Sequence, residues 1–255
     1  MSTFDPQLRL IHDPEPAAAE VYWITHAGGG TNTLAHRART ACADMPIRIQ
    51  TPWMPAREEH TEATFAGDLN EMASCVADTI EQSRQASDDE LPFAVVGHSF
   101  GSVFAYRVTC ELVRRGVSPH RLVTLSFPSP EDIAYDRQLH SLSDEMLVRE
   151  VDELFGGIPA AVLEDETALH YFVPGLRFDL ALLEGYRHLA TDPLPVPIVA
   201  ICGTDDRAVD MAGMNQWQNM TTAAFRLRAM PGDHFFPLER MSEILQVALW
   251  DVLPG

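Results

Sequence analysis

Three residues of this chain have the types and the order of a nucleophilic relay: Ser99, then Asp206, then His234. A serine hydroxyl attacks poorly until an adjacent imidazole takes its proton, and a carboxylate beyond the ring fixes the tautomer and orientation that this requires. Ser99 lies within Gly97-His98-Ser99-Phe100-Gly101. Glycines on either side of a serine let backbone segments pass closely around a sharp turn, leaving the hydroxyl exposed at its apex. The five-residue pattern alone is weak, because average residue usage gives roughly 0.1 chance matches in a chain of this size. Its surroundings carry the rest. Phe93-Ala94-Val95-Val96 is an apolar run fit for a buried parallel strand, and Val103, Tyr106, Val108, Cys110, Leu112 and Val113 suit a helix packed on a sheet.

Such a strand, turn and helix takes its partners in the chain order serine, acid, histidine. Residues 197–202, PIVAIC, read as a late strand, with Gly203-Thr204-Asp205-Asp206 at its C-terminal end, where open α/β sheets carry their chemistry. One residue of register decides which aspartate faces the site; Asp206 is favoured, with Asp205 as the alternative or as a turn cap. Asp233 adjoins His234 in Pro231-Gly232-Asp233-His234. It is the poorer choice, since an orienting carboxylate normally arrives from a separate loop. His26, His98, His170 and His188 are read as packing or hydrogen-bonding residues rather than further bases.

A third element follows a strand near residues 21–25, where His26-Ala27-Gly28-Gly29-Gly30 is not the GxGxxG of a dinucleotide site. It reads as an oxyanion loop, with one backbone N–H from Ala27 and another from Phe100, the residue after the nucleophile. The chain contains no lysine. That excludes a P-loop and an internal pyridoxal phosphate lysine. Cys42, Cys75, Cys110 and Cys202 lack CxxC spacing and lie in apolar patterns, so free buried thiols are expected rather than zinc ligands or disulfides. The chemistry requires neither a metal nor a dissociable cofactor.

The elements that must position these residues alternate as strand and helix, the pattern of a mostly parallel sheet with helices on both faces. Strands are expected near 21–25, 46–50, 92–97, 121–126, 196–202 and 224–230. Phe65, Leu69, Met72, Val76 and Ile80 recur at helical spacing between the second and third. Residues 130–189 interrupt the alternation with helical patterns only: Ser143 can cap a helix beginning Asp144-Glu145, Gly156-Gly157-Ile158-Pro159 breaks it, and further helices are expected at 164–171 and 176–186. An all-helical insertion after the fourth strand would lie over Ser99 as a lid, with Phe172 and Phe178 among the side chains lining an acyl pocket. At 255 residues, 1–255 is expected to form one domain containing that insertion. The net charge of -19, with all 18 basic residues arginine, argues against nucleic acid. With neither a basic-then-apolar leader nor an apolar run long enough to cross a bilayer, a cytoplasmic protein with no membrane partner is expected.

On these residues the chain resembles the type II thioesterases that accompany polyketide synthases and nonribosomal peptide synthetases, a branch of the α/β-hydrolase superfamily. His26-Ala27-Gly28-Gly29 resembles the family's PHAGG loop, Gly97 to Gly101 its GHSMG elbow and Gly232 to Phe236 its GGHFF-like turn. Leu142-Ser143-Asp144-Glu145, Gly156-Gly157-Ile158-Pro159 and Leu176-Arg177-Phe178-Asp179-Leu180 resemble successive pieces of its lid. The GxxD match at Gly203 to Asp206 adds support for Asp206. The resemblance implies an α/β-hydrolase fold and hydrolysis of acyl thioesters on the phosphopantetheine arm of carrier proteins or domains. Thr25, Phe100 and Asp233 replace the family's proline, methionine and glycine, and Pro52-Trp53-Met54-Pro55-Ala56-Arg57 stands where PGRxxR is common. Trp53 and Phe100 are expected near the pocket mouth. A carboxylesterase or lipase acting on free esters would share the elbow, relay and oxyanion loop; an acyltransferase or a noncatalytic carrier-binding protein is the other alternative.

Overall fold

In the computed structural model, which describes residues 6–87, 89–132, 137–188 and 192–253, seven strands form one sheet in the order β1-β3-β2-β4-β5-β6-β7. They are β1 (Gln7–His12), β2 (Ala19–Ile24), β3 (Ile47–Trp53), β4 (Phe93–His98), β5 (Arg121–Leu125), β6 (Ile198–Gly203) and β7 (Phe225–Met230). Only β1 runs antiparallel, pairing with β3; β2 through β7 are parallel neighbours. Six strands fall where the apolar runs predict. β1 was not expected, because it is a half-exposed edge strand whose short Leu8 and Leu10 alternation lacks a buried run's apolar density.

Alternation along the strands divides the core into two layers. Tyr22, Ile24, Phe93, Val95, Leu122, Ile198 and Ala200 face one side, against α2 (Leu69–Gln85) and α3 (Phe100–Arg114). Val21, Trp23, Ala94, Val96, Val123, Val199 and Ile201 face the other, against α1 (Thr31–Ala41) and α9 (Met241–Leu249). Side chains such as Trp23 and Ile49 are fully buried, each contributing about 1.5–3 kcal/mol relative to an exposed position. α2 begins with a capping box, Asp68 accepting from Glu71 N–H and Glu71 from Asp68 N–H, and buries Leu69, Met72, Val76 and Ile80. Phe65 of the predicted stripe precedes the helix. The four cysteines are free.

Between β5 and β6 the described elements are helical: α4 (Asp144–Phe155), α5 (Ala160–Glu164) and α6 (Glu166–Gly185). Residues 133–136 and 189 of the expected 130–189 insertion lie outside the described residues. Ser143 caps α4 by accepting from Met146 N–H, and Gly156 at φ 71 ends it. The two helices expected at 164–171 and 176–186 are one, running through an exposed Pro174. Proline removes one N–H and bends a helix rather than always ending it, and Leu169, Val173, Leu176 and Leu180 hold one buried face across that position. These helices enclose a core of their own, formed by Leu147, Val148, Val151, Val162, Leu169 and Val173, while Leu182, Leu183 and Tyr186 join the main core. The remaining short helices α7 (Met211–Asn215) and α8 (Phe236–Glu239) follow β6 and β7. Among the described residues, no helix is long and apolar enough to cross a membrane.

Candidate active site

Ser99 stands at the C-terminal end of β4, between neighbours β2 and β5, and holds left-handed backbone at φ 55. Serine accepts that conformation only where its surroundings impose it. Here Ser99 N–H donates to Leu125 O at 2.8 Å, extending the ladder into the turn, and a Cβ on Gly97 would lie 2.1 Å from Gly101 O. A Cβ on Gly101 would lie 2.4 Å from Ile24 O. The elbow's glycines are therefore required by backbone approach, both within the turn and against the start of the glycine loop.

Two further loops converge on the hydroxyl. Thr204 N–H donates to Met230 O and Asp205 N–H to Gly232 O, both at 2.9 Å, joining the loop after β6 to that after β7. Gly203 permits it, since its Cβ would lie 2.5 Å from Gly232 O and Asp233 O. The result is a continuous chain: Ser99 Oγ lies 2.9 Å from His234 Nε2, and His234 Nδ1 lies 3.0 Å from Asp206 Oδ2. Asp206 Oδ1 accepts from Ala208 N–H at 3.0 Å and Val209 N–H at 3.2 Å. Burial raises the Asp206 pKa, but its hydrogen bond and charge interaction with His234, with help from the Ser126 hydroxyl and the Ala208 N–H, outweigh it and hold the carboxyl below the ordinary range. Asp205 is exposed and turns to the Thr204 hydroxyl at 3.0 Å, and Asp233 accepts from Phe235 N–H at 2.8 Å. Of the three aspartates weighed from sequence, the structure sets Asp206 against the ring.

Histidines surround the relay. His98 is fully buried, and its Nε2 lies 2.8 Å from His234 O; the carbonyl can only accept, so Nε2 carries the proton. Burial drives the His98 pKa well below the ordinary histidine value, helped by the neighbouring His26 and His234. His26, ring centroid 5.1 Å from that of His98, is pushed down to about 3, chiefly by burial. Both are neutral packing groups at neutral pH. His188 packs beside Tyr106 and Tyr186, and His170 beside Tyr171, well apart in the chain from the relay.

The helical insertion reaches the site at several points. Phe155, the last residue of α4, has its ring centroid 4.9 Å from that of His234, and Gly157 leaves no room for a Cβ against the Phe235 ring. A cavity of about 440 Å³ is lined by Leu154, Phe155 and Gly156 on one side and Asp205, Arg207, Asp233 and His234 on the other, with Asp152 and Glu153 completing it. Phe172 and Phe178 do not line it: Phe172 packs into the insertion's own core and Phe178 onto the main core. Phe100 and Trp53, expected near the pocket mouth, are both buried side chains. Phe100 is 2% exposed with its ring beside Phe104, and Trp53 lies between the Arg9 guanidinium, 3.7 Å away, and the His60 ring. Strand and helix phase turn both inward. The Phe100 backbone still opens α3 immediately after Ser99.

Sequence reasoning gave no role to Arg57 or Asp179. The structure buries both as an ion pair 2.6 Å apart, and Gly28 N–H donates to Asp179 Oδ2 at 2.9 Å. The available signal was an acid on an apolar helix face, since Leu176, Asp179, Leu180 and Leu183 recur at spacings of three and four. Among the described residues no group of three histidine, cysteine, aspartate or glutamate side chains is placed to hold a metal.

The mostly parallel seven-stranded sheet, with helices on both faces and the elbow at the end of β4, is an α/β-hydrolase fold. The thioesterase domain family matches residues 19–248, and the chain belongs to that family; it is a thioesterase. The gramicidin S biosynthesis protein GrsT of Aneurinibacillus migulanus is 26% identical over 231 residues, spanning 90% of this chain and 87% of that protein. Among solved structures, the thioesterase RedJ of the prodiginine pathway in Streptomyces coelicolor aligns with TM-score 0.80 and 28% identity, covering 93% of this chain and 92% of its own. The type II thioesterase BorB of the borrelidin biosynthetic cluster aligns with TM-score 0.81 and 26% identity over 97% of each chain.

Proposed function

We propose that this thioesterase hydrolyses acyl groups from the phosphopantetheine arm of carrier proteins or domains in a polyketide synthase or nonribosomal peptide synthetase, clearing stalled or wrongly primed carriers. The observation that carries the chemistry is the Ser99, His234 and Asp206 chain with its 2.9 and 3.0 Å links. The carrier substrate is supported by the likeness to BorB, a type II thioesterase, and by the biosynthetic settings of GrsT and RedJ. Such partners also imply a cytoplasmic enzyme.

His234 Nε2 takes the Ser99 proton as Oγ attacks the thioester carbonyl, and Asp206 stabilises the imidazolium that forms. The negative charge on the carbonyl oxygen is met by the backbone N–H groups of Ala27 and Phe100. His234 then gives its proton to the departing pantetheine sulfur, leaving an acyl-serine. Water, deprotonated by the same ring, attacks that ester, and the second tetrahedral adduct collapses to free acid and Ser99. The helices within 139–185 act as the lid, with Phe155 and Leu154 beside the acyl group.

Ser99→Ala should lower turnover of a panel of acyl-carrier proteins by several orders of magnitude while leaving the thermal transition in place. Near-normal turnover would overturn the nucleophile assignment. Wild-type enzyme should cleave carrier-bound thioesters in preference to matched oxygen esters and release free acids by mass spectrometry; preference for the oxygen esters would favour a carboxylesterase, and an amide or ester product an acyltransferase.

A further inference from the structure

Arg57 and Asp179 take no part in the proton relay, yet both are buried, 6% and 0% exposed, beneath the glycine loop. Beyond the ion pair, their hydrogen bonds run to chain around that loop. Arg57 Nη1–H donates to Gly29 O at 2.7 Å, Asp179 Oδ2 accepts Gly28 N–H at 2.9 Å, and Nε and Nη2 of Arg57 reach Pro55 O and Gly175 O, each at 3.2 Å. The segment that delivers Arg57 holds left-handed backbone at two non-glycine residues, Ala56 (φ 59) and Glu58 (φ 52). Glu58 accepts from Asn32 N–H at 2.8 Å and from the Thr31 hydroxyl at 2.7 Å, gripping the far end of the same loop. Backbone strain of this kind persists only where contacts impose it.

The loop so held is a type II turn: Gly29 N–H donates to His26 O at 2.9 Å, and Gly28, third of the four residues, has φ 75. The carbonyl of His26 and the N–H of Ala27 belong to one planar trans peptide and point in opposite directions. Engaging His26 O inside the turn therefore aims Ala27 N–H outward, and two of the turn's remaining polar groups are held from outside it: Gly28 N–H by Asp179, and Gly29 O by Arg57 together with the Thr25 hydroxyl at 3.0 Å. A buried ion pair is poor stabilisation in itself, since apolar side chains of similar size often serve as well.

We infer that Arg57 and Asp179 are positioning residues for catalysis, which hold the His26 to Gly29 turn so that Ala27 N–H faces the oxyanion. The inference rests on the proposed role of that amide. It also ties the oxyanion loop to α6, so the turn is fully braced only when that helix is seated.

The test separates orientation from stability. Asp179→Asn should lower kcat per folded molecule by about 100-fold, the scale of losing an oxyanion donor, with KM for an acyl-pantetheine thioester little changed. Affinity for a trifluoromethyl ketone analogue of the tetrahedral adduct should fall in proportion. The double variant Arg57→Met/Asp179→Leu removes both charges and the anchor together; it should melt close to wild type yet keep the low kcat. A double variant with wild-type kcat, or single-variant losses that track only the folded fraction, would overturn the inference while an inactive Ser99→Ala leaves the relay standing. Turnover surviving in Ser99→Ala would overturn both.

Discussion

At the residue, the chemistry is set by which atoms of adjacent side chains face inward. Asp205 and Asp206 share composition and loop, but only Asp206 meets His234, because Asp205 N–H is committed to Gly232 O and its carboxylate to solvent and Thr204. Asp206→Asn should reduce kcat by about 10⁴-fold through loss of the correct imidazole tautomer, whereas Asp205→Asn should stay within a few-fold of wild type. Steady-state turnover of one acyl-pantetheine substrate checks the ranking, and the reverse order would move the role to Asp205. The meeting of Ser99 with His234 was legible in the sequence because glycine spacing and chain order mark the pair. Arg57 and Asp179 were not, since an ion pair 122 residues apart leaves no local periodicity, only an acid in an apolar stripe.

At the level of elements, buried parallel strands were the most legible parts, because continuous apolar runs ending in glycine or a polar turn have few other solutions. The edge strand β1 escaped, being held by its ladder to β3 rather than by burial. The α6 proline misled because one missing N–H was outweighed by a continuous apolar face. That continuity also redirects the expectation for acyl selection: Phe172 and Phe178 pack into cores, and Phe155 at the end of α4 stands beside His234. Phe155→Ala should change the ratio of kcat/KM between long and short acyl thioesters by roughly tenfold, at about 0.8 kcal/mol per methylene uncovered. Phe172→Ala should lower the melting temperature and leave that ratio nearly unchanged. Equal loss across all chain lengths for Phe155→Ala would assign α4 to docking or support.

Across the whole molecule, Ser99, Asp206 and His234 come from the turns after β4, β6 and β7, at one end of the sheet, and the helical insertion, with a core of its own, brings Phe155 beside them. The charge of -19 is spread over a chain whose only strong cations are arginines, several of them committed to ion pairs such as Arg57 with Asp179 and Arg84 with Glu20. The burial of His98, only partly offset by its hydrogen bond to the His234 carbonyl, makes the fold acid-sensitive well above the range where carboxylates titrate. An unfolded chain binds a proton at His98 near pH 6.5, while the native chain, whose pKa there is depressed, does not. The stabilising contribution is thus complete above about pH 6.5 and drains away as the pH falls toward the native value, at about 1.4 kcal/mol per pH unit. His26 acts in the same sense. Urea unfolding between pH 6.5 and 4.5 should show a steep loss that His98→Gln, which keeps a donor for the carbonyl but cannot titrate, flattens by about that slope. Identical slopes in the two proteins would mean that native His98 takes up its proton as readily as the unfolded chain does, and acid would then spare the very contact that seats His234.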